Sequence, residues 1–120
     1  MIHDLKLSDP YHALTDFGIK QFEARVNDPK RKRMEVGDGI VFQHSWRKNA
    51  GIIKAIIIGR STYRSFRDMI DDVGLPKLMP NVSSVEEAVA IYEAFPHEEG
   101  TYKDGAKLYG VVAFEIMLVD

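Results

Sequence analysis

The sequence predicts an α+β fold, a small β-barrel with helices packed on it. Two observations point there. Five stretches carry strand patterns, three within the first 42 residues, one at 51–59 and one closing the chain at 109–119. Capping signals at Ser65 and Ser84 place two helices between the fourth and fifth of them. The chain is also short: 120 residues, 45% hydrophobic and 28% charged, suffice for one core and leave little room for two. One domain over residues 1–120 is therefore expected, with no compositional case for disorder.

Each element has its own reason. Ile2, Leu5 and Leu7 among polar neighbours mark the opening strand. Asp9-Pro10 has the form of a helix cap followed by proline at the first helical position, which predicts a short helix to about Phe17. Gly18 is placed to end it, because glycine enters the left-handed conformation without a side-chain clash. From 20 to 26, Phe22, Ala24 and Val26 alternate with Gln21, Glu23 and Arg25, so Glu23 and Arg25 share the polar face of a strand. Asn27-Asp28-Pro29 breaks it, Lys30-Arg31-Lys32-Arg33 follows as a basic loop, and residues 34–39 turn into the strand Ile40-Val41-Phe42. Residues 44–50 read as a hairpin loop into 51–59, whose five isoleucines predict a strand buried on both faces. The two capped helices cover 66–73 and 85–95, with loops expected at 74–82 and 96–105.

Composition removes several function classes. Without cysteine there is no disulfide framework, thiolate metal site or thiol nucleophile, which suits a reducing, cytoplasmic setting. His3, His12, His44 and His97 are dispersed without metal-ligand spacing, so neither a metal nor a cofactor is predicted. No nucleophile elbow or phosphate-binding glycine loop occurs. The first residues lack a basic region followed by a long apolar run, and no stretch approaches membrane-spanning length, so no membrane partner is expected. With a net charge of −2, contact with nucleic acid has to rest on a local basic patch rather than a global field.

The densest chemistry lies at 18–25, Gly-Ile-Lys-Gln-Phe-Glu-Ala-Arg, of the form G-x-K-x-x-E-x-R. Two readings stand. In one, Glu23 and Arg25 form a surface pair worth roughly 0–1 kcal/mol and Lys20 is solvated. In the other the three make a pocket, where Lys20 and Arg25 hold a phosphate or carbonyl oxygen and Glu23 accepts from a base amino group or works as a general base. Strict alternation puts Lys20 on the opposite face, so it must reach the pocket from the Gly18 turn.

This motif resembles that of the ASCH domain group of the PUA-like superfamily. The likeness extends to Val36-Gly37-Asp38 before the strand at 40–42, to Tyr63-Arg64-Ser65-Phe66, and to Tyr109-Gly110-Val111. It implies a PUA-like β-barrel with a cleft beside the motif, often associated with RNA. One branch, a bacterial N(4)-acetylcytidine amidohydrolase, uses a lysine, a threonine and a glutamate. Its lysine corresponds to Lys20, Glu23 stands where it has threonine, and Asp71 and Asp72 lie nearest to its glutamate. A carboxylate does not replace a hydroxyl as acyl acceptor. If the chain is an enzyme, Lys20 would polarise the scissile group while Glu23 activates water.

Further candidates surround the motif. Arg31, Lys32 and Arg33 in the basic run are phosphate contacts by counterion release, or a solvated loop. Trp46, flanked by Arg47 and Lys48, is a stacking platform for an unpaired base or a cap on the barrel. Tyr63 and Tyr109 line the cleft by family position, or pack at strand ends. The leading expectation is a binding module for single-stranded RNA or a modified nucleoside; the rivals are a small hydrolase acting on RNA or such nucleosides, and a protein-interaction domain that kept only the fold.

Overall fold

The structure is a computed structural model describing residues 1–119; the last position of the expected domain lies outside them. It has strands β1 (Ile2–Leu7), β2 (Phe22–Val26), β3 (Gly39–His44), β4 (Ile53–Tyr63), β5 (Pro96–His97), β6 (Gly100–Thr101) and β7 (Val111–Val119). The helices are α1 (Tyr11–Asp16), α2 (Pro29–Lys32), α3 (Phe66–Val73), α4 (Leu75–Leu78), α5 (Val85–Ala94) and α6 (Tyr102–Tyr109). Five strands make one curled sheet in the order β1-β3-β4-β7-β2, and β5-β6 is a separate small hairpin. β1 runs parallel to β3, and the other pairings are antiparallel. The edge strands β1 and β2 do not pair with each other, so the predicted α+β barrel is a half-barrel with an open seam.

β7 organises both sides of the sheet. Val111 and Ala113 pack with Ala24, Val26, Phe66, Met69, Ile70 and Tyr92 under the helices. Val112, Phe114 and Ile116 join Leu5, Phe42, Ile53 and Ile57 inside the curl. The strand buried on both faces is thus the first half of β7, not 51–59. In β4, Ile53, Ala55 and Ile57 point inward while Ile58, like Ile52 just before the strand, is exposed. The reason is where the helices sit: they lie against β2, β7 and the far end of β4, leaving the outer face of the isoleucine run uncovered.

The caps at Ser65 and Ser84 form as expected, each hydroxyl accepting from the backbone N–H three residues on at 3.1 Å. Elsewhere local chemistry departs from the pattern. Pro10 occupies the cap position of α1 rather than its first turn, and the Asp9 carboxylate is drawn away to His44 at 3.0 Å and Arg47 at 2.7 Å. The basic run is helical: Asp28 accepts from the Arg31 N–H at 3.0 Å and caps the single turn α2, with Pro29 at its start. Residues 74–82 contain the turn α4, and the expected loop at 96–105 holds the β5-β6 hairpin and the start of α6. A Thr101–Asp104 capping box starts α6, and Gly105 inside it marks a close approach, since a Cβ there would lie 3.0 Å from His97 Nδ1 and from Val26 Cγ1. Tyr109 ends α6 instead of opening the last strand.

Candidate functional site: a cleft at the open seam

The alternation of β2 decides the site. Ala24 and Val26 face the helices, so Glu23 and Arg25 face the other way, opposite Phe114 and Val112, which line the inside of the curl. The polar face of the strand is therefore the interior of the half-barrel at its seam, and the surface-pair reading fails. Only 4% of Glu23 is exposed.

Lys20 reaches the same point from outside the strand. β2 begins at Phe22, and Gly18 turns with φ +73°. The Gly18 N–H donates to the Thr15 carbonyl, and those of Ile19 and Lys20 to the Leu14 carbonyl, each at 3.0 Å. This turn removes Lys20 from the strand alternation. Its ammonium donates to Glu23 Oε1 at 2.7 Å and to the Phe22 carbonyl. Arg25 takes the other carboxylate oxygen, with Nε at 2.7 Å and Nη2 at 2.6 Å from Oε2. Arg25 Nη2 also donates to the Lys6 carbonyl of β1 at 2.9 Å, across the seam.

Charge balance follows from this geometry. Burial favours the neutral acid at Glu23, but the charges and hydrogen bonds of Lys20 and Arg25 outweigh it and hold the carboxyl below its ordinary range. Burial likewise opposes the charge on Arg25, and Glu23, followed by Tyr102, reverses the balance and raises it. Two cations on one carboxylate leave the cleft floor with a net positive charge. A buried pair of this kind adds little net stability over apolar packing, whereas removing one partner is costly.

Tyr11, Tyr92, Phe95 and Tyr102 wall the cleft, and Ser8 and Ser45 stand at its other lip; its volume is about 200 Å³. Tyr92 stacks on Phe66 with ring centres 4.9 Å apart, and Phe95 meets Tyr92 edge-on at 6.1 Å. The Tyr92 hydroxyl is buried without a hydrogen-bond partner among the described residues. Burial, with the Glu23 charge behind it, pushes that phenol well above its usual range. Beyond Arg25 and Tyr102 the cleft continues into an open groove of about 330 Å³ lined by Asp28, Lys30, Arg31, His97 and Glu98.

The remaining candidates are dispersed. Arg31 is half-buried in the groove. Lys32 instead lies over the Tyr109 ring, 5.8 Å from its centre, and Arg33 is exposed at the end of α2, because one helical turn points successive side chains in different directions. Trp46 does not cap the barrel. It is 68% exposed, edge-on to buried His44 at 4.9 Å, with the Arg47 guanidinium 5.6 Å from its ring centre. Tyr63 and Tyr109 do not join the cleft; they end β4 and α6 and line a different hollow with Asn27, Arg64 and Lys107. The Tyr63 hydroxyl donates to Asp72 at 2.5 Å, and neither Asp72 nor Asp71, both exposed, lines the cleft that holds Lys20. The aromatic wall has no local signature in the sequence because its members come from α1, α5, α6 and the residue after α5. Among the described residues no group of three or more His, Asp or Glu is placed to share a metal ion, and no helix is long and apolar enough to cross a membrane.

Comparison with known proteins places this architecture. The ASCH domain family matches over residues 5–120. The crystal structure of hypothetical protein PH0355 is 32% identical in sequence, superposes with a TM-score of 0.83, and the match covers 99% of this chain and 100% of that one. The solution NMR structure of protein PF0455 from Pyrococcus furiosus is also 32% identical, with a TM-score of 0.75 over 100% of this chain and 99% of that one. No curated protein matches. A half-barrel with packed helices, a G-x-K-x-x-E-x-R segment at its seam and a family match over nearly the whole length lead to one identification: the chain belongs to the ASCH domain family.

Proposed function

We propose that this domain binds RNA by taking one unpaired or modified nucleotide base into the seam cleft. The observation that carries the reading is an ionised, buried Glu23 fixed between Lys20 and Arg25 at the foot of an aromatic wall. Lys20 uses two of its three ammonium protons on protein groups, leaving one for a base carbonyl. Glu23 retains lone pairs to accept from a base amino group. Tyr102 and Phe95 offer faces and edges for stacking, the usual means of holding splayed-out bases. The cleft volume is below the roughly 300–1,000 Å³ of drug-sized pockets, which suits one base rather than a stacked run. Trp46, exposed beside Ser45 at the lip, is available to the neighbouring base.

The hydrolytic alternative draws less support from the same geometry. A general base works best with a pKa near the working pH. The two cations that keep Glu23 ionised make it a weak base.

Fluorescence anisotropy with a labelled single-stranded RNA and with its duplex tests the proposal. The single strand should bind more tightly than the duplex, and Tyr102→Ala, checked for folding by circular dichroism, should weaken it by about 1–3 kcal/mol. Equal affinity for both RNAs, or a folded Tyr102→Ala protein that binds as the parent does, would contradict it.

A further inference from the structure

The groove beyond the cleft carries a feature that base recognition leaves unused. Arg31 is half-buried, yet its guanidinium donates to no protein acceptor and joins no ion pair among the described residues; only its backbone N–H is bonded, to Asp28. Arginine is rarely taken fully out of water without a partner, so a half-buried guanidinium without one is open to an anionic ligand. The acidic groups that line the groove are Asp28 and Glu98. Asp28 is already committed, through Oδ1 to the Arg31 N–H and through Oδ2 to His97 at 2.9 Å. Against these stand Arg25, Lys30 and Arg31, and the Glu23 carboxylate that balances Arg25 is shared with Lys20. The charge of Arg25 acts on Arg31, second only to burial in pushing the Arg31 guanidinium below its ordinary range. Two guanidiniums lining one groove, with one of them unpaired, suit a dianionic or diester oxyanion between them.

The position of this cation pair matters as much as its charge. Arg25, Pro96 and Tyr102 line both the cleft and the groove, so the two hollows meet at Arg25 and form one path. A ligand with its base in the cleft directs its sugar toward that junction and any attached phosphate toward Arg31 and Lys30. We infer that the ligand of this domain is a nucleotide rather than a nucleoside, its phosphate held in the groove between Arg25 and Arg31 with Lys30 at the rim. The inference rests on the base-binding reading above and adds the phosphate as a required part of the ligand.

The probes are the four ribonucleosides with their 5′- and 3′-monophosphates, titrated calorimetrically into the full chain and into Arg31→Gln, Lys30→Gln and Lys32→Gln. At least one monophosphate should bind tenfold or more tightly than its nucleoside. That advantage should fall to within about twofold in Arg31→Gln, shrink in Lys30→Gln, and persist in Lys32→Gln, whose side chain lies over Tyr109 outside the groove. Preference for the 5′- or the 3′-phosphate distinguishes a chain end from a linkage onward along RNA. Inorganic phosphate is the control for the groove alone and should compete with the monophosphates at millimolar concentration. Nucleosides binding as well as their monophosphates would overturn the inference and leave the base cleft standing, as would a phosphate advantage surviving Arg31→Gln. Absence of binding by every nucleoside and nucleotide, with single-stranded RNA also unbound, would overturn both readings.

Discussion

Arg25 Nη2 lies 2.9 Å from the Lys6 carbonyl, so the side chain that neutralises Glu23 also fastens β2 to β1 across the seam that the sheet leaves unpaired. One guanidinium thus holds the floor of the cleft and the width of its mouth. Lysine at this position keeps the charge but lacks the planar fork needed to meet a carboxylate and a carbonyl together.

Arg25→Lys should therefore destabilise the fold by about 1.5–3 kcal/mol, the worth of one lost charge-assisted hydrogen bond. Hydrogen exchange should report the loss unevenly, with faster exchange at the free edges of β1 and β2 than in the paired β4-β7 ladder. Urea denaturation and exchange mass spectrometry measure both; uniform loss of protection would show that Arg25 does not act at the seam.

Removing the carboxylate is expected to cost more than removing a cation. Glu23→Gln leaves Lys20 and Arg25 facing one another without their counter-charge, and breaking a buried pair in this way costs about 3–5 kcal/mol. Lys20→Met combined with Glu23→Gln should be less destabilised than the sum of the single changes, because the double variant removes a buried charge of each sign. Additive losses in a denaturation cycle would mean that Lys20 and Glu23 are energetically independent.

Acid should weaken the protein through the same carboxyl. Glu23 has a folded pKa below its ordinary value, so the unfolded chain takes up its proton first as pH falls. Its contribution is present above the ordinary glutamate range, near 4.3, and is lost as the pH drops through the lower folded value. Stability followed from pH 6 to pH 2 should fall less steeply in Glu23→Gln than in the parent. A second carboxylate offers a local check: Asp38 is held down to about 2 mainly by the hydrogen bond from His3, 2.7 Å away, and by the Glu35 N–H. In His3→Ala its NMR titration should move up toward the ordinary aspartate range.

How far the sequence reveals this site depends on which contacts are local. Alternation in 20–26 placed Glu23 and Arg25 on one face, and the Gly18 turn explained how Lys20 could join them; both are short-range features. Alternation alone could not say that this face is the inside of the curl. That depends on β2 pairing with β7, more than 80 residues away, in a register that sets Glu23 beside Phe114. The aromatic wall was hidden for the same reason, and Gly105 disguised α6, since a glycine within a helix weakens the pattern where packing against His97 and Val26 requires it. The basic run shows the converse: four adjacent cations look equivalent in sequence, and one helical turn sends Arg31 to the groove and Lys32 to Tyr109.

Gly110 tests the junction between α6 and β7. It has φ +73°, and a Cβ there would lie 2.7 Å from the Tyr63 carbonyl oxygen. Gly110→Ala should cost about 1–3 kcal/mol through strain and that contact. A thermal unfolding midpoint unchanged from the parent would contradict this packing.

If the seam cleft is where RNA meets this protein, its lining residues and not the outer face of the sheet should respond to RNA. Amide chemical-shift mapping during titration with a short unpaired RNA reads this residue by residue. The largest shifts are expected at residues 6–8, 20–25, 30–31 and 95–102, with little change on the outer face of β4 around Ile56 and Ile58. Shifts concentrated instead around Tyr63, Arg64 and Tyr109, or an unperturbed spectrum at saturating RNA, would contradict it.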